Sequence, residues 1–550
     1  MLTFNIMWVY NSYIIFIHGD FIMVSWIDYV ILALYALSMV GIAIYTKNRS
    51  KSVDDFLHAG KKGLNGWMSA FAYGTTYFSA VIFVGYAGKF GAGFGLASIW
   101  IGVANAIIGS LFAWMVLARR TKNMTTRLES KTMPDFFEKR YDSKNLKLVS
   151  AIVVFVFLIP YSASVYSGLG SIFRFVFGLE HAWIVMIALA GITALYLFFG
   201  GYFATALSDF IQGIIMLVGV VAMVFCFMNH PNVNWDLSNL VSDVNKSWFT
   251  FNSTNTGLYG STMSLLSLIF LTSFGVWALP QTVHKYYAIR DKRAIKQGTI
   301  VSTIFALIIG FGAYFVGGLY KLFKVDIDAF LISKGLSTAN SDTFIPVMIK
   351  LVIPTVLVGI IAVLILSASM STLSSVSLSS ASVVAVDIYK GRINKNASDK
   401  KVNLVMKLLC LVFIIISVVL AILNEYVEGG IAAIAYMMGI SWGTLAGCFM
   451  GPFVLGLIWK RVTRSAAWAS IISSLALTVT LIFVFGYHKN GFDCTLGKAL
   501  ADGIGCSPMI GSICMISSVI VTIIVSLFTK APSSEVIYNA FDKPIENEVK

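Results

Sequence analysis

The sequence predicts an all-α, polytopic membrane protein, and three observations carry that prediction. Of its 550 residues, 58% are hydrophobic and 12% charged, with a mean hydropathy of +0.82. Soluble cores do not reach that bias. Runs of about 20 apolar residues, enough for a helix to cross a hydrocarbon core of about 30 Å, recur from end to end. The basic residues are also asymmetric. Of 40 Lys and Arg, 31 fall in every second segment between those runs: 47–64, 119–147, around 201, 285–297, 389–405 with Lys407, 459–464, and from 530 on. That is the positive-inside pattern, and it places the amino terminus outside and the carboxyl terminus inside.

About thirteen spans are expected, near 26–46, 65–86, 94–118, 148–177, 182–200, 202–228, 261–284, 298–320, 352–388, 406–424, 430–458, 465–486 and 508–529. They form one transmembrane domain over 25–530, with an amino-terminal extension at 1–24 and a cytoplasmic tail at 531–550. Residues 1–22, MLTFNIMWVYNSYIIFIHGDFI, are apolar but lack a basic start and a small-residue cleavage site. They read as a short interfacial extension or as a start assigned too far upstream, not as a signal peptide. The net charge of +14 faces the anionic leaflet and requires no nucleic acid.

Composition also limits the chemistry. No GxxxxGK[ST] loop supports ATP-driven transport; GYAGKFG at 85–91 lacks both the spacing and the hydroxyl. The six His are dispersed, and the six Cys form no CxxC pair or Cys/His cluster. Cys494 and Cys506 share one outer loop, as a disulfide or as two free thiols. The longest polar stretches, 119–147 and 230–260, are too short for a catalytic domain. A transporter without an organic cofactor is the class that remains. A channel or a transporter-like sensor fits the same spans, but a sensor would carry a long signalling domain.

Within the span at 352–388 lies SASMSTLSSVSLSSAS, residues 367–382, with ten Ser or Thr in sixteen positions. At about 100° per residue, seven of the ten share less than half the helix circumference, with Ser369 and Ser380 on the far side. Small hydroxyl residues allow close helix packing, bonding back to their own carbonyls. They also suit a desolvated Na⁺, which needs oxygen ligands without full charge. Asp209, two turns into its span in GGYFATALSDFIQ, is either an ordinary acid near a helix start or a buried charge facing a cation.

These segments together resemble the sodium:solute symporter family. The likeness runs from about residue 25 to 530 and includes DDFLHAGKKG (54–63), TMPDFFEKRYDS (132–143), GGYFATALSDFIQ (200–212), SASMSTLSS before VDIYK, and LGLIWKRVTRSAA (455–467). The resemblance implies a leucine-transporter-like core of two inverted five-helix repeats, here about 65–228 and 261–458, with the first helix of each repeat broken at the site. Gly74 and Ser79 weaken the first of these helices, and Gly275 and Pro280 interrupt the second.

By matching positions, the family's main sodium site implies the side chains of Ser371 and Thr372 and the carbonyls of Thr75, Phe78 and Ala368. A second sodium site, found in some members, implies Asp209, Ser374 and Ser375. For the solute, the sugar branch's polar residues are replaced here by Val81 and Ile82, and the sialic-acid branch's Arg is absent. Tyr161 in PYSAS and Pro280 match the proline branch, although Tyr77 stands where that branch has an Asp. Ser79, Tyr161, Trp277, Pro280 and Trp442 are the expected solute-binding residues. The reading is Na⁺-coupled import of a small organic solute, a proline-like amino acid or carboxylate, with a sugar or vitamin as the alternative.

Overall fold

Ser25 begins the first membrane helix, α1 (Trp26–Thr46), with a capping box in which Asp28 Oδ2 accepts from the Ser25 amide at 2.8 Å. The other oxygen of Asp28 accepts from the amide of Gly359 at 2.7 Å, on a later helix. This buried acid is therefore satisfied by backbone donors and docks α1 against the bundle. The computed structural model describes residues 25–47, 52–58, 63–237, 262–426, 433–491 and 493–545. Among the described residues there are helices and a single isolated bridge, Leu64 to Ile289, but no strand. The expectations for residues 1–24 lie outside them.

Among the described residues, eleven helices are long and apolar enough to cross a membrane. Two of them, Val81–Arg127 and Ala182–Asn229, have 47 and 48 residues, about 70 Å of helix and more than twice a ~30 Å core. Each contains a glycine with positive φ and extended ψ, Gly95 (59°, −141°) and Gly201 (56°, −148°), a geometry open to glycine and strained for other residues. The expected thirteen spans follow if Gly201 divides the second into two passes and Val81–Phe94 completes a pass begun at Gly66, with the next starting at Gly95.

The elements around the site are α2 (Gly66–Tyr77), α3 (Lys144–Phe177), α4 (Ala182–Asn229), α5 (Thr262–Gly275), α6 (Pro280–Tyr287), α7 (Thr355–Ser382) and α8 (Ile434–Phe449). Both expected breaks occur. After α2, Phe78 turns extended (φ −106°, ψ 123°) before the chain resumes at Val81–Tyr86. The break thus falls at Ser79 and not at Gly74. Gly74 lies inside α2, where an added Cβ would come 2.5 Å from the Phe305 ring, so its role is packing. The second break spans 276–279, between Gly275 and Pro280, where proline fits because a first-turn residue needs no donor.

One region departs from the sequence reading. The segment after Gly318 is not simply loop: it folds into helices Tyr320–Ser333 and Phe344–Val352, the second largely buried. Of the two states open to Cys494 and Cys506, the structure shows no disulfide between them, and Cys506 Sγ donates to the Asp502 carbonyl at 3.6 Å.

On the predicted inner face the family motifs meet. Thr132 donates to Asp387 Oδ2 at 2.6 Å, and Lys147 lies 2.8 Å from Asp135, 2.9 Å from Glu138 and 3.4 Å from Asp387. Burial pushes the Asp135 carboxyl up, but Lys147 and Lys139 outweigh this and hold it below its usual range. Arg140, fully buried, donates to the carbonyls of Gly456 and Trp459 at 3.0 and 3.1 Å and packs 5.0 Å from the ring of Phe541 in the tail. TMPDFFEKR thus anchors both VDIYK and LGLIWKR, which is structural work.

Candidate cation and solute site

The hydroxyl-rich stretch is the second half of α7, and every one of its Ser and Thr residues is buried. The break in α2 lies against it. Ser371 Oγ donates to Thr75 Oγ1 at 2.7 Å. Thr372 Oγ1 donates to the Ala368 carbonyl at 3.2 Å and faces the carbonyls of Thr75 and Thr76 at 3.4 Å. Four of the five expected first-site residues therefore share one cluster, and the fifth, Phe78, is the extended residue that ends α2. Hard cations the size of Ca²⁺ hold oxygens at about 2.3–2.6 Å, which puts neighbouring ligands of an octahedron about 3.3–3.7 Å apart. Na⁺ is of similar radius, so the 3.2–3.4 Å spacings around Thr372 suit it without rebuilding.

Ser369, assigned by the helical wheel to the far side, also works at the break. It accepts from the amide of Ala80 at 3.2 Å, a donor that the interruption at Phe78–Ser79 leaves without a helical partner. A wheel drawn for one helix cannot show which faces its neighbours wrap.

The second expected cluster contains a residue that the sequence reading placed elsewhere. Asp209 is fully buried, with its Oδ2 3.4 Å from the ammonium of Lys285. That ammonium donates to Ser375 Oγ at 2.8 Å, and Ser375 Oγ lies 2.9 Å from Thr76 Oγ1. Ser374 turns back to the Ser371 carbonyl at 2.9 Å. Lys285 was counted among the inner-loop charges. Being 2% exposed in the last turn of α6, it belongs to the bundle instead, and the inner excess falls by one.

The expected solute residues divide. Tyr161 and Trp442 are buried in edge-to-face contact at 5.5 Å, and Tyr77 lies 6.0 Å from Trp442. Neither Tyr161 Oη nor Trp442 Nε1 makes a well-formed hydrogen bond among the described residues, although the hydroxyls of Ser79 and Thr372 lie near Tyr161 Oη. Ser79 caps the resumed helix, its Oγ accepting from the amide of Val81 at 3.3 Å. Pro280 opens α6, and Thr282 closes the gap before it, bonding to the carbonyls of Val276 and Leu279 at 2.9 and 2.8 Å. Trp277 instead turns to the carbonyl of Ile108 at 3.0 Å and is only half-buried. Sequence reasoning missed Asn105, which accepts from Thr272 and Ser273 at 2.9 and 3.0 Å; an isolated Asn in an apolar run is its only signal.

Helices broken in mid-bundle beside an uncharged oxygen cluster are how ion-coupled secondary transporters hold polar cargo, and this chain is of that class. Its residues 56–473 match the model of the sodium:solute symporter family, and the chain belongs to that family. It is a multi-pass membrane transporter that couples a solute to Na⁺, not an enzyme. It is 27% identical over 510 residues to the osmoregulated proline transporter OpuE of Bacillus subtilis, covering 91% of this chain and 95% of that one. It is 25% identical to the sodium/proline symporter 2 of Staphylococcus saprophyticus, covering 94% and 95%. The fold matches a solved Na⁺-coupled sialic acid symporter with a TM-score of 0.70 at 20% identity, over 93% of this chain and 99% of that one.

Proposed function

We propose that the chain imports proline, or a zwitterion of similar size, together with Na⁺. One observation carries this reading: two buried donors, Tyr161 Oη and Trp442 Nε1, make no well-formed hydrogen bond among the described residues and face each other beside the first helix break. Buried polar groups are as a rule satisfied; other buried side chains here also carry unpartnered atoms, but these two meet in one aromatic contact, and two donors among aromatic faces suit a carboxylate on a compact apolar body. The names of the curated relatives agree with that chemistry.

In this reading Na⁺ binds at Thr75, Phe78, Ala368, Ser371 and Thr372, tying α2 to α7 so that the adjoining break is ordered for the solute. Asp209, Ser374 and Ser375 form a second place where positive charge is stabilised. The repeats run over about 65–228 and 261–458, with the amino terminus outside and the tail inside.

Purified protein should be stabilised against heat by proline far more in Na⁺ than in K⁺, because a ligand raises stability by RT ln(1 + [L]/Kd) and Na⁺ lowers Kd. A Na⁺-dependent shift with a sugar or vitamin but none with proline would replace the solute assignment. Orientation is checked separately on a Cys494→Ser background. A cysteine at Thr126 should be labelled from the cytoplasm and one at Lys498 from outside; the reverse pattern would invert the topology.

A further inference from the structure

An ammonium inside hydrocarbon is expensive unless it is paired. Lys285 is paired on three sides: Asp209 Oδ2 at 3.4 Å, Ser375 Oγ at 2.8 Å, and the face of the Tyr202 ring at 5.2 Å. It reaches them from the last turn of α6, which joins α6 to α4 and α7 through one charge. Asp209 and Ser375 are two of the three residues that the family resemblance gives to a second sodium ion.

We propose that the ammonium of Lys285 is the resident cation of this second position, so that the transporter moves one Na⁺ per solute. The proposal rests on the first sodium site assigned above. Geometry and charge both favour it. A hard cation binding Ser375 Oγ at about 2.3–2.6 Å would lie within roughly twice that distance of the Lys285 nitrogen, which already holds the same oxygen at 2.8 Å. Among the described residues only Asp209 pairs there with a positive charge, and Lys285 already balances it. One oxygen of Asp209, Oδ1, has no partner among the described residues. Without Lys285 this position would therefore keep a full negative charge and two hydroxyls, Ser375 and Thr76. A fixed charge in this position also travels with the protein, not with the solute. It thereby removes one ion's share of the driving force from the membrane potential.

Radiolabelled Na⁺ binding to the purified full chain, with solute present, tests this. Wild type should bind one Na⁺ per protein, and so should Lys285→Arg, which keeps the charge. Lys285→Gln should bind two, and Lys285→Gln combined with Asp209→Asn should return to one. If Ser371 and Thr372 are changed to Ala in the Lys285→Gln protein, the ion at Asp209 should remain. Two Na⁺ on wild type would overturn this proposal alone. No Na⁺ on wild type would remove the first-site reading, and this proposal with it. A Lys285→Gln protein that still binds solute but takes up one Na⁺ would also overturn it, and should that variant fail to fold, the wild-type count decides.

Discussion

Replacing Ser371 and Thr372 together with alanine is expected to raise the Na⁺ concentration for half-maximal solute uptake more than tenfold. Tenfold corresponds to about 1.4 kcal/mol of ion binding, a modest demand for the loss of two ligands from a buried site. The substitution removes the oxygen that bonds Thr75 at 2.7 Å and the one that bridges the Ala368, Thr75 and Thr76 carbonyls at 3.2–3.4 Å. No charge is added or deleted, and alanine suits a helix interior, so α7 should persist. An uptake assay over a range of Na⁺ at fixed ionic strength reads the effect. Unchanged sodium dependence would take Na⁺ out of this cluster.

Tyr161→Phe is expected to weaken solute affinity by about ten- to hundredfold while leaving Na⁺ binding near wild type. A hydrogen bond to a charged group contributes about 1.5–3 kcal/mol, and here the solute carboxylate would be that group. The ring, its 5.5 Å contact with Trp442 and the surrounding packing are all retained. Thermal stability of the solute-free protein should stay close to wild type, because the hydroxyl being removed makes no well-formed hydrogen bond among the described residues. That combination separates a binding role from a structural one. Wild-type affinity in Tyr161→Phe would exclude the residue from the site.

How much of this was legible in the sequence depends on the range over which each signal acts. The second break was legible because Pro280 acts through its own covalent geometry, whatever packs against it. Ser371 and Thr372 were legible through their motif, and their meeting with Thr75 follows from the family's architecture. The first break was less so: Gly74 and Ser79 look alike as weak points, and only the position of Phe305 shows that Gly74 makes room for a ring. Ser369 was misplaced because helical periodicity describes one helix and not the helices around it. Lys285 was hidden for a similar reason. A lysine near a helix end counts as a loop charge until the tertiary structure brings Asp209 and Ser375 to it. The outer helices Tyr320–Ser333 and Phe344–Val352 escaped notice because they are too short to span and their segment is polar enough to read as loop.

The most direct test of the central claim is radiolabelled proline uptake into proteoliposomes containing the purified full chain, under an imposed inward Na⁺ gradient. The account predicts proline accumulation above the external concentration, abolished when Na⁺ is replaced by K⁺ or the gradient is collapsed by an ionophore, and accelerated by an inside-negative potential. Proline uptake that is indifferent to the Na⁺ gradient, or no proline uptake by protein shown to be active with another solute, would contradict it.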